Sequence, residues 1–488
     1  MNQREHFDVA VVGSGAGGGV IAGELAQRGR SVVLLEAGPH RTAADFTRWE
    51  AEATHKIWWP FRQALIDGGA GGAIGIIAGR CVGGTTTINT KVALRAHERD
   101  FAKWEGAGGL AFGPDDLAPH YDRVASALGV RERSDWERCI HTLEPGFRAL
   151  GAELEPVHSY TDHNCMKCGS CLQGCPTNAG KSTMTTWIHP AWAEGKLDLR
   201  AEAPVERVLI EDRNGGPEAT GVEYVDAAGE RHSIDADAVV VAGGALNTPQ
   251  LLIHSGVGNP QVGRNLGWHP VRLVYGLFDE PQDAHMVYPI SSHCMEHQHD
   301  EDGGFVIEAA TIQDPIGFAI TLEDENGPMW GEPLVEAARQ YRRWTGVLAM
   351  ANDENNGAVV VEEDGGERFD AHFEPSEQKR IDDALDFSRR ALEAAGATRV
   401  LWSGLASTHV QGSCRMGSDP ERSVVDGNGE SHDVKRLFVG DSSVIPRTLS
   451  VNPSLTIMAL ADRLAQHLDE DPNGYLEPRG AETTTVAS

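Results

Sequence analysis

Short apolar runs alternate with glycine-rich turns along the 488-residue chain, and their order predicts an α/β protein. Phe7–Val12 is a continuous apolar run, as a strand buried on both faces requires. Val20–Gln27 has helical character, and Ser31–Leu35 is a second apolar run ending at Glu36, which completes a βαβ unit. Leu197–Leu209 and Ala219–Tyr224 alternate like paired strands. Ala238–Ala242 predicts another buried strand, closed by Gly243 and Gly244, and Thr248–Ser255 a helix that stops at Gly256. Between 270 and 400 the pattern is mixed: strand-like runs at Val271–Leu277 and Gly317–Leu322 precede a helix at Ser376–Ala395. Arg436–Val439 is a last buried strand, meeting Gly440 and Asp441. Asn452 then precedes a helix from Pro453 to about Leu468, and the tail after Pro472 is polar and reads as frayed. There are no internal repeats.

Composition narrows the class. Hydrophobic residues make up 40% and charged residues 23%, which is ordinary for a globular protein. Net charge is −30, from 42 basic and 72 acidic residues. That argues against nucleic-acid or anionic-membrane binding, because both need clustered Lys and Arg. Solubility is the plain reading of the charge; an acidic face for a basic protein partner is the other. No apolar stretch approaches a membrane span. The N-terminus lacks an apolar signal core and leads at once into a strand, so the expected location is cytoplasmic, or exported only folded with a partner subunit. The eight cysteines read as reduced thiols or metal ligands rather than disulfides.

The first turn of the βαβ unit carries Gly13, Gly15 and Gly18 in a G-x-G-x-x-G arrangement. Gly13 permits the tight turn, Gly15 allows close approach of a pyrophosphate, and Gly18 lets helix pack on strand. Glu36 is placed to accept from ribose hydroxyls. A structural glycine turn is the alternative, but both strands and the acid favour a dinucleotide; the motif does not separate FAD from NAD. A second glycine-rich stretch runs from Gly68 to Gly84. It leaves backbone amides bare, as chain lying against a planar ring or phosphate needs. A flexible surface loop is the other reading, and the interleaved Ile74, Ile76, Ile77 and Val82 argue against it.

Cys165, Cys168, Cys171 and Cys175, followed by Pro176, have the spacing C-x2-C-x2-C-x3-C-P. This is an iron–sulfur ligand run. A zinc knuckle and a thiol cluster without metal compete with it. Zinc sites usually separate two C-x-x-C pairs by a longer loop, and here the pairs are crowded. With one run only, a cluster needs all four local thiols or a remote ligand, for which Cys139 and Cys294 are the candidates.

Several blocks together resemble the glucose–methanol–choline (GMC) flavoprotein oxidoreductases. They read VVGSGAGGGVIAGELA then LLEAG, GRCVGGTTTIN, GGALNTPQLLIHSGVG, HVQGSCRMG and LFVGDSSVIPRTLSVNPSLTIMALADRLA. The resemblance implies bound FAD with its adenosine at the first βαβ unit. It assigns Gly83, Gly84, Thr85 and Asn89 to the flavin stretch; Val205 is a further candidate cofactor contact, and so is Asp441, which ends a strand near the expected ribityl or pyrophosphate and for which a plain turn Asp is the alternative. It implies a discontinuous Rossmann-like FAD-binding domain (1–130, 197–270 and 401–471), a cysteine-rich insertion (131–196), a β-sheet substrate domain (271–400) and a polar tail (472–488). His409 matches the position of the family's catalytic base, and an imidazole, which titrates near neutral pH, can take and hold the proton; a structural or solvated histidine, as most of the 20 are expected to be, is the alternative. Asn452 matches a second position, where family members carry His or Asn to hold the substrate oxygen; a helix N-cap is its structural alternative. The cysteine loop also resembles that of iron–sulfur-containing FAD-dependent glucose dehydrogenases, whose three cysteines match Cys165, Cys171 and Cys175. Cys168 is extra, so the cluster is [3Fe–4S] or [4Fe–4S]. Cys-x-x-Gly-Cys with a following Lys also occurs in long-chain alcohol oxidases, so the loop does not fix the substrate.

The expected activity is oxidation of an alcohol or sugar hydroxyl by hydride transfer to FAD. Electrons then leave through the cluster to a cytochrome, quinone or carrier protein. An oxidase using O2 with a structural cysteine site, and a non-redox lyase on the same fold, are the alternatives.

Overall fold

The computed structural model describes residues 5–60, 62–66, 72–110, 112–213, 215–310, 315–362 and 364–476. Of the glycine-rich stretch, Gly68–Gly71 lie outside the described residues, as do 477–488 of the tail.

Two sheets organise the molecule. In the seven-stranded sheet, His6–Val12 runs parallel to Val32–Leu35 on one side and to Arg231–Val241 on the other. Leu197–Arg200 extends it in parallel beyond Val32–Leu35, and Leu437–Val439 pairs in parallel with the end of Arg231–Val241. Gly216–Val225 and Val205–Arg213 add an antiparallel meander. The apolar runs are continuous because both faces are covered: Val9, Ala10, Val33 and Val239 are fully buried. The helices Gly18–Gln27 and Ser454–Glu470 pack against each other as part of this core. Asp462, on the inner face of the second helix, is held by His120 Nδ1 at 2.7 Å and by Arg123 Nη2 at 2.6 Å. These bonds satisfy an acid that burial would otherwise penalise.

The fifteen-stranded sheet draws on more of the chain than 271–400. Its middle, Val271–Leu277, Trp344–Ala351, Phe305–Ala310 and Ile290–Cys294, is an antiparallel succession. Arg62–Ile66 and Gly72–Ile76 join from the N-terminal part, and Arg131–Arg133 and Glu155–Ser159 from the region of the cysteine run. The helix Pro375–Ala394 covers one face, burying Ile381, Ala384, Phe387, Ala391 and Leu392 at helical spacing.

One predicted strand is corrected. Gly317–Leu322 falls on the helix Pro315–Thr321 and the start of the short strand Leu322–Asp324. Alternation would put Ile316, Phe318 and Ile320 on one face. Instead Phe318 and Leu322, four apart, are buried, while Ile316 and Ile320 are 50% and 77% exposed. The last helix begins at Ser454, and no Asn452 side-chain bond caps it, so the N-cap alternative for Asn452 fails.

Candidate active site

The C-terminal ends of three parallel strands converge on one cavity of about 940 Å³. They deliver Gly13, Gly243–Gly244 and Asp441 to its wall, the place where open parallel sheets bind ligands. Gly13 has φ +94°, and a Cβ there would meet the Ala242 carbonyl oxygen at 2.4 Å. Gly15 differs: a Cβ would meet nothing within 4 Å, so its bare backbone faces open space. Gly18 and Gly83 stand behind the wall, while Gly84, Thr85, Asn89 and Val205 line it.

Glu36 is fully engaged by the turn it faces. Its Oε2 accepts from Ser14 N at 3.0 Å and Ser14 Oγ at 2.6 Å, and its Oε1 from Gly38 N at 2.7 Å. Burial raises its pKa against the pull of these bonds. Ser14 Oγ also accepts from Gly83 N at 2.9 Å, so one hydroxyl ties the two glycine loops together. Ser14 occupies a variable position of the motif, and only the folded contact reveals it. Asp441 accepts from Gly244 N at 2.8 Å, Ser443 N at 2.7 Å and the Thr248 hydroxyl, bracing the turn after the central strand. Asn89 donates to the Tyr160 hydroxyl, and its Oδ1 is buried without a partner. A groove with bare amides at Gly15, a buried acid beneath it and an unpaired amide oxygen at its far wall suits an extended dinucleotide such as FAD.

His409 and Asn452 both line this cavity. Gly267 and Gln411 exchange backbone hydrogen bonds of 2.8 and 3.1 Å, an antiparallel pair that places His269 and His409, two residues out on either side, next to each other. Burial lowers the pKa of His409 to about 4, and its Nδ1 has no partner. The imidazole is therefore neutral at pH 7 and free to accept a proton. Asn452 also keeps a buried, unpartnered Oδ1. Glu308, on the strand Phe305–Ala310, completes the polar set of this wall. Neither Glu308 nor His269 carries a sequence motif.

The cysteine run forms part of the same wall. Gly169 and, from the short turn Ser170–Gln173 that follows it, Leu172 and Gln173 line the cavity, while none of the four cysteines does, and Trp58 Nε1 donates to the Leu172 carbonyl at 3.0 Å. All four cysteines are free thiols of intermediate exposure. Burial pushes Cys171 up to about 12, opposed by the Lys91 ammonium. Burial works against the Cys175 thiolate too, but bonds from Gly180 N at 3.2 Å and from Thr177 outweigh it and lower its pKa. Lys91 is completely buried, donates to the Thr86 carbonyl, and interacts with Cys171, Cys175 and Cys81.

Among the described residues, the one set of three His, Cys, Asp or Glu ligand atoms within 4.8 Å of one another is Asp226, Glu230 and His232. No three of the loop thiols meet that limit. A tetrahedral zinc ion would need them roughly 3.8 Å apart, given Zn–S bonds of about 2.3 Å. Thiolates that each bind a different iron of one cluster stand further apart than that. The remote candidates lie elsewhere in the packing. Cys139 and Cys294 are buried in the apolar core of the larger sheet, where Cys294 Sγ donates to Glu296 at 2.8 Å.

Comparison with known proteins agrees with this geometry. A family model described as GMC oxidoreductase matches residues 11–271, and its C-terminal counterpart matches 331–461. A long-chain-alcohol oxidase of Arabidopsis thaliana is 28% identical over 94% of this chain, which spans 66% of that relative's length. A GMC-type oxidoreductase of Mycobacterium tuberculosis is 31% identical over 93% of this chain and 74% of its own. Paromamine 6'-oxidase of Streptomyces fradiae is 29% identical over 95% and 92%. The crystal structure of pyridoxine 4-oxidase from Mesorbium loti shares the fold, with a TM-score of 0.73 at 20% identity, covering 94% of this chain and 99% of that one. Among the described residues no helix is long and apolar enough to cross a membrane.

Proposed function

The chain belongs to the GMC oxidoreductase family, and from that premise we propose that it oxidises an alcohol or sugar hydroxyl with bound FAD, passing electrons to an external acceptor by way of the cysteine loop. The observation that carries this reading is that His409 and Asn452 share one cavity wall with the Gly13 turn. Bound FAD supplies the acceptor for the hydride that leaves the substrate carbon. His409, neutral and on the cavity wall, takes the hydroxyl proton. Asn452 holds the same oxygen with its amide and cannot itself titrate. The apolar wall, including Val271, Leu273 and Ile290, excludes water from the reacting carbon.

The cysteine loop supports an iron–sulfur exit. It borders the cavity, it brings four thiols together in eleven residues, and the buried Lys91 favours negative charge there. A cluster held by Cys165, Cys168, Cys171 and Cys175 would supply one-electron transfer. The second reading is an oxidase that uses O2, favoured by the names of relatives such as the long-chain-alcohol oxidases and paromamine 6'-oxidase.

Anaerobic mixing of the FAD-loaded protein with a panel of alcohols and sugars tests the first step: one or more should bleach the flavin. Bleaching by none would end the proposal. Iron and acid-labile sulfide in the anaerobically purified protein, with little peroxide in air, support the cluster exit. Stoichiometric peroxide and no iron would move the reading to the oxidase.

A further inference from the structure

Among the described residues, every acid on the cavity wall except Glu308 forms a hydrogen bond or ion pair. Glu36 accepts three hydrogen bonds from Ser14 and Gly38. Asp441 accepts from Gly244, Thr248 and Ser443. Glu323 pairs with Arg272 at 3.1 Å, Glu367 with Arg62 at 3.5 Å, and Glu206 with Arg231 at 2.6 Å. Glu308 has none of this. It is fully buried, and both Oε1 and Oε2 lack a hydrogen-bond partner. The Asn452 side chain is the one group that acts on it, partly offsetting the effect of burial. His293 is its register partner on the neighbouring strand, yet the ring interacts with His158 and Glu296 instead. On the other side Glu308 pairs with Leu348, which also lines the cavity.

A buried carboxyl with two empty oxygens is costly unless something donates to it. A donor on a bound substrate can fill this need from the cavity side. The position beside Asn452 sets it close to the reacting hydroxyl but separate from His409, whose ring has no interaction with Glu308. We propose that Glu308 is a specificity residue that binds a second hydrogen-bond donor on the substrate, a hydroxyl or an ammonium, so that the protein selects polyols, sugars or amino alcohols over simple alkanols. This rests on the alcohol-oxidising reading above and names the substrate class for the same site. A carboxylate or carboxylic acid among apolar neighbours such as Leu273, Ile290 and Leu348 gains nothing from an alkyl chain. An alkanol would leave it desolvated and unpaired, whereas a diol or amino alcohol would satisfy it. A site built to bond a polar group discriminates strongly against the analogue that lacks it.

The test measures anaerobic flavin reduction by butan-1-ol, butane-1,2-diol, butane-1,4-diol, glucose and 4-aminobutan-1-ol, in the wild type and in Glu308→Leu and Glu308→Gln. Each variant is first checked for an unchanged flavin spectrum. In the wild type the best donor-bearing alcohol should exceed butan-1-ol by roughly ten- to a hundredfold in the second-order rate of reduction. Glu308→Leu should abolish that ratio, chiefly by slowing the donor-bearing substrates. Glu308→Gln tells the donors apart: an amide keeps the preference for a hydroxyl and loses that for an ammonium. A wild type that prefers butan-1-ol, or a Glu308→Leu variant with an unchanged ratio, overturns the inference. Failure of every alcohol and sugar to reduce the wild-type flavin would instead overturn the alcohol-oxidising reading itself.

Discussion

The rings of His269 and His409 lie with centroids 5.3 Å apart and planes inclined at 41°, the first behind the cavity wall and the second on it. Both nitrogens of His269 and Nδ1 of His409 are without partners. Burial drives the pKa of His269 well below the ordinary value, and the neighbouring His409 lowers it further. Two imidazoles so close in an apolar setting do not both carry a proton. A proton delivered from the cavity therefore stays on His409, while His269 remains neutral and fixes its neighbour's position by packing.

Proton acceptance by His409 sets a pH profile. The ring accepts only when neutral, and its pKa is lowered from 6.5 to about 4. Flavin reduction at low substrate should rise with pH through about 4 and show no His409 step near 6.5. Stopped-flow reduction between pH 4 and 8 checks this; a midpoint at the ordinary histidine value would contradict it. His409→Ala should slow reduction by roughly 10²–10⁴-fold with FAD still bound. Near-wild-type reduction in that variant would remove His409 from the chemistry.

Ser14 joins the two loops that line the cofactor groove, through bonds to Glu36 and from Gly83 N. Ser14→Ala leaves the buried Gly83 amide unpaired, at a cost of about 1–3 kcal/mol. The variant should melt at a lower temperature and retain less FAD through gel filtration than the wild type. Identical melting and full FAD retention would show that the hydroxyl bridge is dispensable.

The proposed cluster has a composition and a potential to measure. Cys168 lies near enough to Cys165 and Cys171 to interact with both electrostatically, which makes it available as a fourth ligand. Cys168→Ser should then lose iron and the EPR signal as Cys171→Ser does. Retention of a three-iron signal in Cys168→Ser would make that residue a bystander. Lys91→Met removes a buried positive charge next to Cys171 and Cys175. The midpoint potential should become more negative, because the reduced, more anionic state loses its nearest cation. An unchanged potential would place Lys91 outside the cluster's field.

What could be read along the chain was local. The Gly13 turn, the Gly83–Asn89 stretch, His409 and Asn452 each sit in a contiguous block, and four short apolar runs became strands of the parallel sheet. What could not be read depends on distant pairings. Glu308 reaches the cavity because Phe305–Ala310 lies between Ile290–Cys294 and Trp344–Ala351, a register that no neighbouring residue encodes. His269 meets His409 only through the Gly267–Gln411 bridge. The helix Pro315–Thr321 hid behind an alternation that suits a strand, since its exposed Ile316 and Ile320 are as apolar as its buried Phe318.

Glu308 also ties stability to pH. Burial raises its pKa from 4.5 to about 7. Between those values the native state keeps a proton that the unfolded chain has released, so the unfolded state binds fewer protons and stability falls as pH rises. The shift corresponds to a penalty of about 3 kcal/mol once pH exceeds 7. His409 works in the opposite direction, since its folded pKa of about 4 lies below the unfolded 6.5 and stability grows with pH across that window. That contribution is common to the wild type and a Glu308 variant and cancels in their difference. Glu308→Gln carries no titrating group at the site. Its melting temperature relative to wild type should therefore be clearly higher at pH 8 than at pH 5, both FAD-saturated and free of substrate. An equal difference at the two pH values would mean that Glu308 titrates normally and already has a partner in the ligand-free protein.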